Sequence, residues 1–416
     1  MKQKTMIVIL AEVMMVVGVF ALPNGEIWPD NKPIPVNYDE DKVPPYTLQD
    51  PLAFADGQKV ESKDDWSKRR EEILGIVQRE MLGEVPRVSV EFEKVGEEIF
   101  SSNIICRTIQ MKFQDKASTS RKVDWQIYLP RNASGRLPSL LALNFDDKIT
   151  ASRLYIVPIE DVVSRGFAFI TAKYTAIVPD NKEERETLIK WAWALMRGMD
   201  MIESQPELDA SRVVVTGFSR LGKAALFAGA FDTRFAAVIP VQTGGAGVPL
   251  MKREFGENLP KMLKNFPHWF TPRFSFYSGR EAEMPFDSHL VLSCIAPRPL
   301  LVLGADDPWF DTRGEWLAVQ AAAPVWRFLE CDTPKFDEFP ADDDLSSIGA
   351  RLGYARHAGK HAITAADWSR ILDFSIAATI TSSVLAGDAV KYHGIFINDD
   401  DWWATRNDPQ TEVLRM

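Results

Sequence analysis

One serine stands where an apolar run breaks. Val213, Val214, Val215 and Thr216 form a mostly β-branched stretch that stops at Gly217, and after Ser219 the chain turns helix-forming through Ala230. This is the layout of a nucleophile elbow. A serine on a sharp strand-to-helix turn projects its hydroxyl above a sheet, and the next backbone N–H is positioned to stabilise a developing oxyanion. Gly217 and Gly222 would let the backbone fold tightly. The usual spacing is G-x-S-x-G, whereas here the second glycine comes one place late. Taken alone, the same residues fit a structural glycine and an N-capping serine equally well.

A serine hydroxyl needs a base to take its proton, and the base needs a carboxylate. In strand–turn–helix enzymes of this kind the chain order is Ser, acid, His. The chain has five histidines, and His357 and His361 share a loop ahead of a helix that begins near Thr364. Their spacing of four could suit a metal pair on a helix, but Gly359 between them and the lack of a Glu after His357 speak against that. They could also simply cap or pack. Carboxylates Asp306, Asp307 and Asp311 follow the apolar run 299–304, at what would be the C-terminal edge of a strand. Open α/β sheets bind their ligands at that edge.

These side chains need a frame to hold them. Near-continuous apolar runs at 140–144, 168–172, 213–216, 236–240 and 299–304 alternate with helical stretches at 182–205, from 220, at 316–329 and at 365–385. Such runs are what a parallel sheet buried on both faces requires. Earlier runs at 88–92, 104–113 and 123–128 alternate partly, which predicts antiparallel strands, and 63–81 has the spacing of an amphipathic helix. Residues 22–56 are rich in Pro, Asn and Asp and read as an extended segment laid across a surface. The expected architecture is therefore one α/β domain over 22–416. Residues 1–21, with a basic tip and an apolar stretch, read as a signal peptide despite Glu12, so export to the periplasm or medium is expected.

Composition narrows the function further. A net charge of -10 without a basic stripe argues against a nucleic-acid partner. Cys106, Cys294 and Cys331 are too scattered for a disulfide framework or a zinc site, and acyl transfer on a serine requires no metal or organic cofactor. The 12 tryptophans suit either an open sugar-binding surface or a core.

Several motifs in order now bear a resemblance. The segments Asn37-Tyr-Asp-Glu40, Thr216-Gly-Phe-Ser-Arg-Leu-Gly-Lys-Ala-Ala225, Phe266-Pro-His-Trp-Phe270, Ile295-Ala-Pro-Arg-Pro299, Asp311-Thr-Arg-Gly-Glu315 and Gly359-Lys-His361 with Asp367-Trp368 resemble the bacterial branch of the glucuronoyl esterases, carbohydrate esterase family fifteen. The resemblance covers almost everything after residue 21. It implies an α/β-hydrolase fold, a three-layer sandwich around a mostly parallel sheet with antiparallel N-terminal strands. It also implies cleavage of esters of glucuronic or 4-O-methylglucuronic acid, as in lignin–xylan linkages; a cofactor-free monomer with no membrane partner is expected. By the same resemblance Ser219 is the nucleophile, His361 the base, Arg220 an oxyanion support and Lys223 a sugar ligand. Trp309 would lie along the sugar, and Glu257, His268 and Trp269 fall in the substrate-binding region.

Gln242 departs from that pattern. Many members carry the catalytic acid at this place, in a Glu-Ser-Gly type motif, and an amide offers no charge to an imidazolium. Gln242 is accordingly grouped with the substrate-binding residues. The acid is expected at Asp307, with Asp306 in reserve, as in bacterial members that place it after the later strand. Phe218 before the nucleophile is a second, milder departure. Two other readings stay open: a carbohydrate-binding homologue with an impaired triad, or another carbohydrate esterase such as a xylan deacetylase. For an esterase, protonation of His361 should show as a rate that varies between about pH 5 and 8.

Overall fold

The computed structural model describes residues 34–114, 119–133, 135–146 and 156–385. The expected signal peptide and His393 lie outside them. Nine strands form one sheet: β1 (Val90–Ile99), β2 (Ile104–Gln114), β3 (Ser120–Pro130), β4 (Leu137–Asn144), β5 (Ala168–Lys173), β6 (Leu208–Phe218), β7 (Ala237–Val241), β8 (Leu300–Ala305) and β9 (Leu352–His357). Their order is β1-β2-β3-β5-β4-β6-β7-β8-β9. The first three strands pair antiparallel with one another and β3 pairs antiparallel with β5, while β5 through β9 run parallel.

Burial follows from that topology. The parallel strands β7 and β8 are buried at every position, whereas β1 is half-exposed to exposed throughout. Helices α1 (Lys63–Val77), α2 (Thr187–Glu203), α3 (Arg220–Phe231) and α4 (Thr312–Phe328) contribute to the core on one face of the sheet. Helix α5 (Ala365–Leu385) and the short helix Ile159–Ser164 contribute to the core on the other. Each fully buried Leu, Val or Phe in these layers contributes about 1.5–3 kcal/mol relative to an exposed one. Packing accounts for most of the tryptophans: of the nine described, all but Trp309 are buried.

The connections after β5, β6, β7, β8 and β9 all emerge at the same edge. They carry Asp180, Ser219, Gln242, Asp307 and His361 in turn. The extended N-terminal segment is bolted to this edge, since Asn37 bridges Phe255, Gly256 N–H donates to Asn37 O at 2.9 Å, and buried Arg253 pairs with both Glu40 and Asp311 at 2.7 and 2.9 Å. No helix among the described residues is long and apolar enough to cross a membrane.

Candidate active site

Ser219 lies in the turn between β6 and α3 with φ 58° and ψ -128°. A non-glycine residue held there costs on the order of 1–3 kcal/mol, so the surroundings must enforce it. The two glycines do so. A Cβ on Gly217 would come within 2.3 Å of Leu221 O, and one on Gly222 within 2.7 Å of Gly217 O and 3.0 Å of Val241 O. The late second glycine thus lets the backbone pass close to both Gly217 and β7. Ser219 N–H is spent on Val241 O at 2.9 Å. The next donor, Arg220 N–H, opens the helix and has no intrahelical acceptor, which leaves it facing any oxyanion formed at Ser219.

His361 follows β9 on the loop toward α5. Gln242, 1% exposed and at φ 46°, directs its whole amide at this loop. Its Nε2 donates to Ala362 O at 2.6 Å, and its Oε1 accepts from Ala362 N–H at 3.1 Å and lies 3.0 Å from His361 Nδ1. Because a backbone N–H must donate, the amide orientation is fixed, and Nδ1 must then carry the ring proton. Nε2 is left with its lone pair, as a general base requires. Gln242 is expected among the substrate ligands, but in the structure its Oε1 and one of its Nε2 donors serve the loop that carries His361.

Asp307 approaches the same histidine from another direction. Its Oδ2 accepts the His361 backbone N–H at 3.3 Å and its Oδ1 accepts Trp309 N–H at 3.3 Å. The imidazole nitrogen therefore meets Gln242, while the carboxylate meets the peptide of the same residue. Asp306 points elsewhere, exposed and 3.3 Å from Arg356. No hydrogen bond joins Ser219 Oγ to the His361 ring among the described residues. Burial pushes the His361 pKa down to about 4; the positive charges of Lys223 and Arg220 add to the fall, and Asp307 opposes it. The ring is neutral well below neutrality. The window in which its protonation should slow a reaction therefore moves from pH 5–8 to near pH 4.

Two cations flank the elbow. Arg220 pairs with Asp180 and lies 5.1 Å from the ring centroids of both Phe266 and Trp269. Asp180 is a hub that accepts from Trp269 Nε1 at 2.8 Å, His268 Nε2 at 2.7 Å and Tyr174 Oη at 3.1 Å. Burial alone would raise its pKa, but the hydrogen bonds from His268 and Trp269 and the charge of Arg220 outweigh it and hold it at about 2. Lys223 is buried, with Nζ 3.6 Å from Glu257 Oε2 and 5.1 Å from the Trp269 centroid. Burial lowers the Lys223 pKa and raises that of Glu257, and each charge partly restores the other. Glu257 is further tied by Gly245 N–H to its carboxylate at 3.1 Å and by its own N–H to Trp309 O at 2.7 Å.

The elbow thus has Arg220 and Lys223 beside it, with Glu257 and the Trp309 loop joined to Lys223. Trp269 has a different task from the expected sugar contact. At 2% exposure it lies against both cations and holds Asp180, so its ring is occupied by the protein. Sequence reasoning missed Asp180, which belongs to no motif; its only signal is its place just after β5. It also missed Phe310, whose ring stacks on His361.

Comparison with known proteins agrees with this geometry. A family model described as "Glucuronyl esterase, fungi" matches residues 114–330, more than half of the chain. The carbohydrate esterase MZ0003 of an unknown prokaryotic organism is 32% identical, over 90% of this chain and 98% of its own. A 4-O-methyl-glucuronoyl methylesterase of Podospora anserina is 27% identical over 68% of this chain, which spans 60% of that protein. The solved structure of a glucuronoyl esterase from Solibacter usitatus superposes with TM-score 0.75 at 31% identity, covering 81% of this chain and 99% of that one. With an elbow serine, a neutral histidine and flanking cations at one sheet edge, the chain belongs to the glucuronoyl esterase family of serine-type carboxylic ester hydrolases.

Proposed function

We propose that the protein hydrolyses esters of glucuronic or 4-O-methylglucuronic acid through an acyl-enzyme on Ser219. The observation that carries this reading is the hydrogen bonding at His361: Gln242, fixed by the Ala362 peptide, requires Nδ1 to donate and leaves Nε2 as the basic nitrogen of a ring stacked on Phe218, the residue before the elbow serine. His361 Nε2 takes the Ser219 proton as Oγ attacks the uronate carbonyl. Arg220 N–H and the Asp180-fixed guanidinium stabilise the oxyanion, charge that appears only in the transition state. The tetrahedral intermediate collapses as the alcohol oxygen takes the proton back from Nε2. Water then adds to the acyl carbon, giving its proton to Nε2, and Ser219 leaves with that proton as the uronic acid is released.

Lys223 with Glu257 suits the hydroxyl groups of the sugar, and Trp309, the half-buried tryptophan of the site, suits a pyranose face. Asp307 supplies the negative charge of the triad through the His361 peptide and through space, while Gln242 orients the ring. An ester of the 4-O-methyl-glucuronoyl type accords with the names of the relatives, while the lignin–xylan linkage rests on the sequence resemblance and export on residues 1–21.

Benzyl glucuronate hydrolysis tests the reading. Ser219→Ala should lower kcat by about 10⁴-fold or more against the unaltered protein. Gln242 in the usual place of the acid favours one rival, a glycan-binding homologue. Saturable binding of glucuronoxylan with no turnover by the unaltered protein, and turnover gained in Gln242→Glu, would establish that rival instead.

A further inference from the structure

The imidazole of His361 has an aromatic ring on each face. Phe218, the residue before the elbow serine, stacks at 4.4 Å between centroids and 19° between planes. Phe310, from the turn Pro308–Phe310 after β8, stacks at 3.9 Å and 17°. The two rings come from different parts of the sheet edge, Phe218 from the end of β6 and Phe310 from the turn after β8. Their histidine is also the one whose Nδ1 meets a neutral amide rather than a carboxylate.

An imidazolium forms transiently in acyl transfer, and something must stabilise it. Among the groups facing it, Lys223 and Arg220 oppose the charge, Gln242 is neutral, and Asp307 alone favours it. An aromatic face within about 6 Å of a cation attracts it through the ring quadrupole. Both phenyl rings lie inside that distance. We propose that Phe218 and Phe310 are positioning residues that stabilise protonated His361 by cation–π contact from both faces, in part replacing the negative charge that Gln242 lacks. The inference rests on His361 being the base of the esterase reaction.

Rings that merely exclude water would do the opposite and disfavour the charged form. Leucine separates the two roles, because it preserves apolar burial and removes the quadrupole. Phe310→Leu, at the half-buried position, is the first variant and Phe218→Leu the second. The His361 ring titration is followed by NMR, assigned by loss of the signal in His361→Gln, in a Gln242→Glu background that lifts the midpoint into an accessible range. Removing either ring should lower the midpoint by about half to one and a half pH units. With Gln242 in place, kcat on benzyl glucuronate should fall roughly threefold to thirtyfold at little change in KM. The fall should be smaller in the Gln242→Glu background.

A midpoint that stays or rises in both leucine variants overturns the proposal, whatever happens to kcat. Failure of the esterase reading is seen separately, as an unaltered protein that turns over no ester, since the ring titration needs no turnover.

Discussion

Two histidines four residues apart each place Nδ1 against a buried side chain, and those surroundings move their pKa values in opposite directions. His357 ends β9 with Nδ1 2.9 Å from Asp367, a carboxylate with no exposure that also accepts Thr364 N–H and Oγ at 2.8 Å and pairs with Arg370 at 3.2 Å. Asp367 N–H returns a bond to Thr364 Oγ at 3.1 Å, so the pair forms a capping box at the start of α5. That carboxylate raises the His357 pKa. His361 meets an amide instead, and burial with the charges of Lys223 and Arg220 pushes its pKa down to about 4. The pair with the better acid is the structural one: it clamps the two ends of the loop on which the other histidine rides. A His–Asp contact is therefore no mark of a triad until a nucleophile stands beside it.

The sharpest way to break this comparison is to exchange each ring for an amide. His361→Gln should lower kcat for a uronate ester by about 10⁴- to 10⁶-fold with little loss of fold. His357→Gln should leave kcat within about tenfold, because its ring touches the loop and not the elbow. Equal loss of kcat in both proteins, with circular dichroism unchanged, would mean that the base has been assigned to the wrong residue.

Removing the partners reverses the ranking. Asp367→Ala strips four buried or half-buried groups of their acceptor and should cost about 3–5 kcal/mol in urea unfolding. Gln242→Ala removes both Ala362 hydrogen bonds and should cost about 1–3 kcal/mol, while the freed ring loses its tautomer and kcat falls by about 10²-fold or more. If Gln242→Ala unfolds the protein as readily as Asp367→Ala, Gln242 is a structural residue first.

A third pair, His268 with Asp180, extends the comparison to the cation side. Asp180→Asn keeps the acceptor for Trp269 but removes the charge that fixes Arg220. We expect kcat to fall about tenfold to a hundredfold, with the loss shared by no other step of folding. A change in KM alone would shift Arg220 from the oxyanion to ground-state binding.

How far these roles were legible depends on what each is made of. The parallel strands and α3 could be read because burial on both faces writes itself as short apolar runs, and Ser219 because an elbow needs glycine where the backbone nearly touches itself. The boundaries moved at ends where packing decides, as in the predicted helix 182–205, which runs over Thr187–Glu203. Gln242 was legible as a departure, but its work was not: an amide that sets a tautomer is visible only once the Ala362 peptide is seen between its two arms. Asp180, Phe310 and the split of Asp307 from the ring are contacts between loops of different strands, which leave no spacing in the sequence to count.

The smallest effect separates the two histidines most cleanly, because its sign differs between them. For His357 the folded pKa lies above its ordinary value near 6.5, so the folded chain holds its proton more tightly than the unfolded one. That contribution is complete below pH 6.5 and is lost as pH rises through the raised value. For His361 the folded pKa is pushed down to about 4, so between pH 6.5 and 4 the unfolded chain binds a proton that the folded chain refuses. Stability therefore falls as pH drops through that window, by about 1 kcal/mol at pH 5.5. Urea unfolding between pH 4.5 and 9 should therefore show the deficit of His357→Gln shrinking toward alkaline pH. Across the same series, His361→Gln should gain on the unaltered protein toward acid. Parallel curves would mean that both rings share one environment, and the contrast between an amide-held ring and a carboxylate-held clamp would be lost.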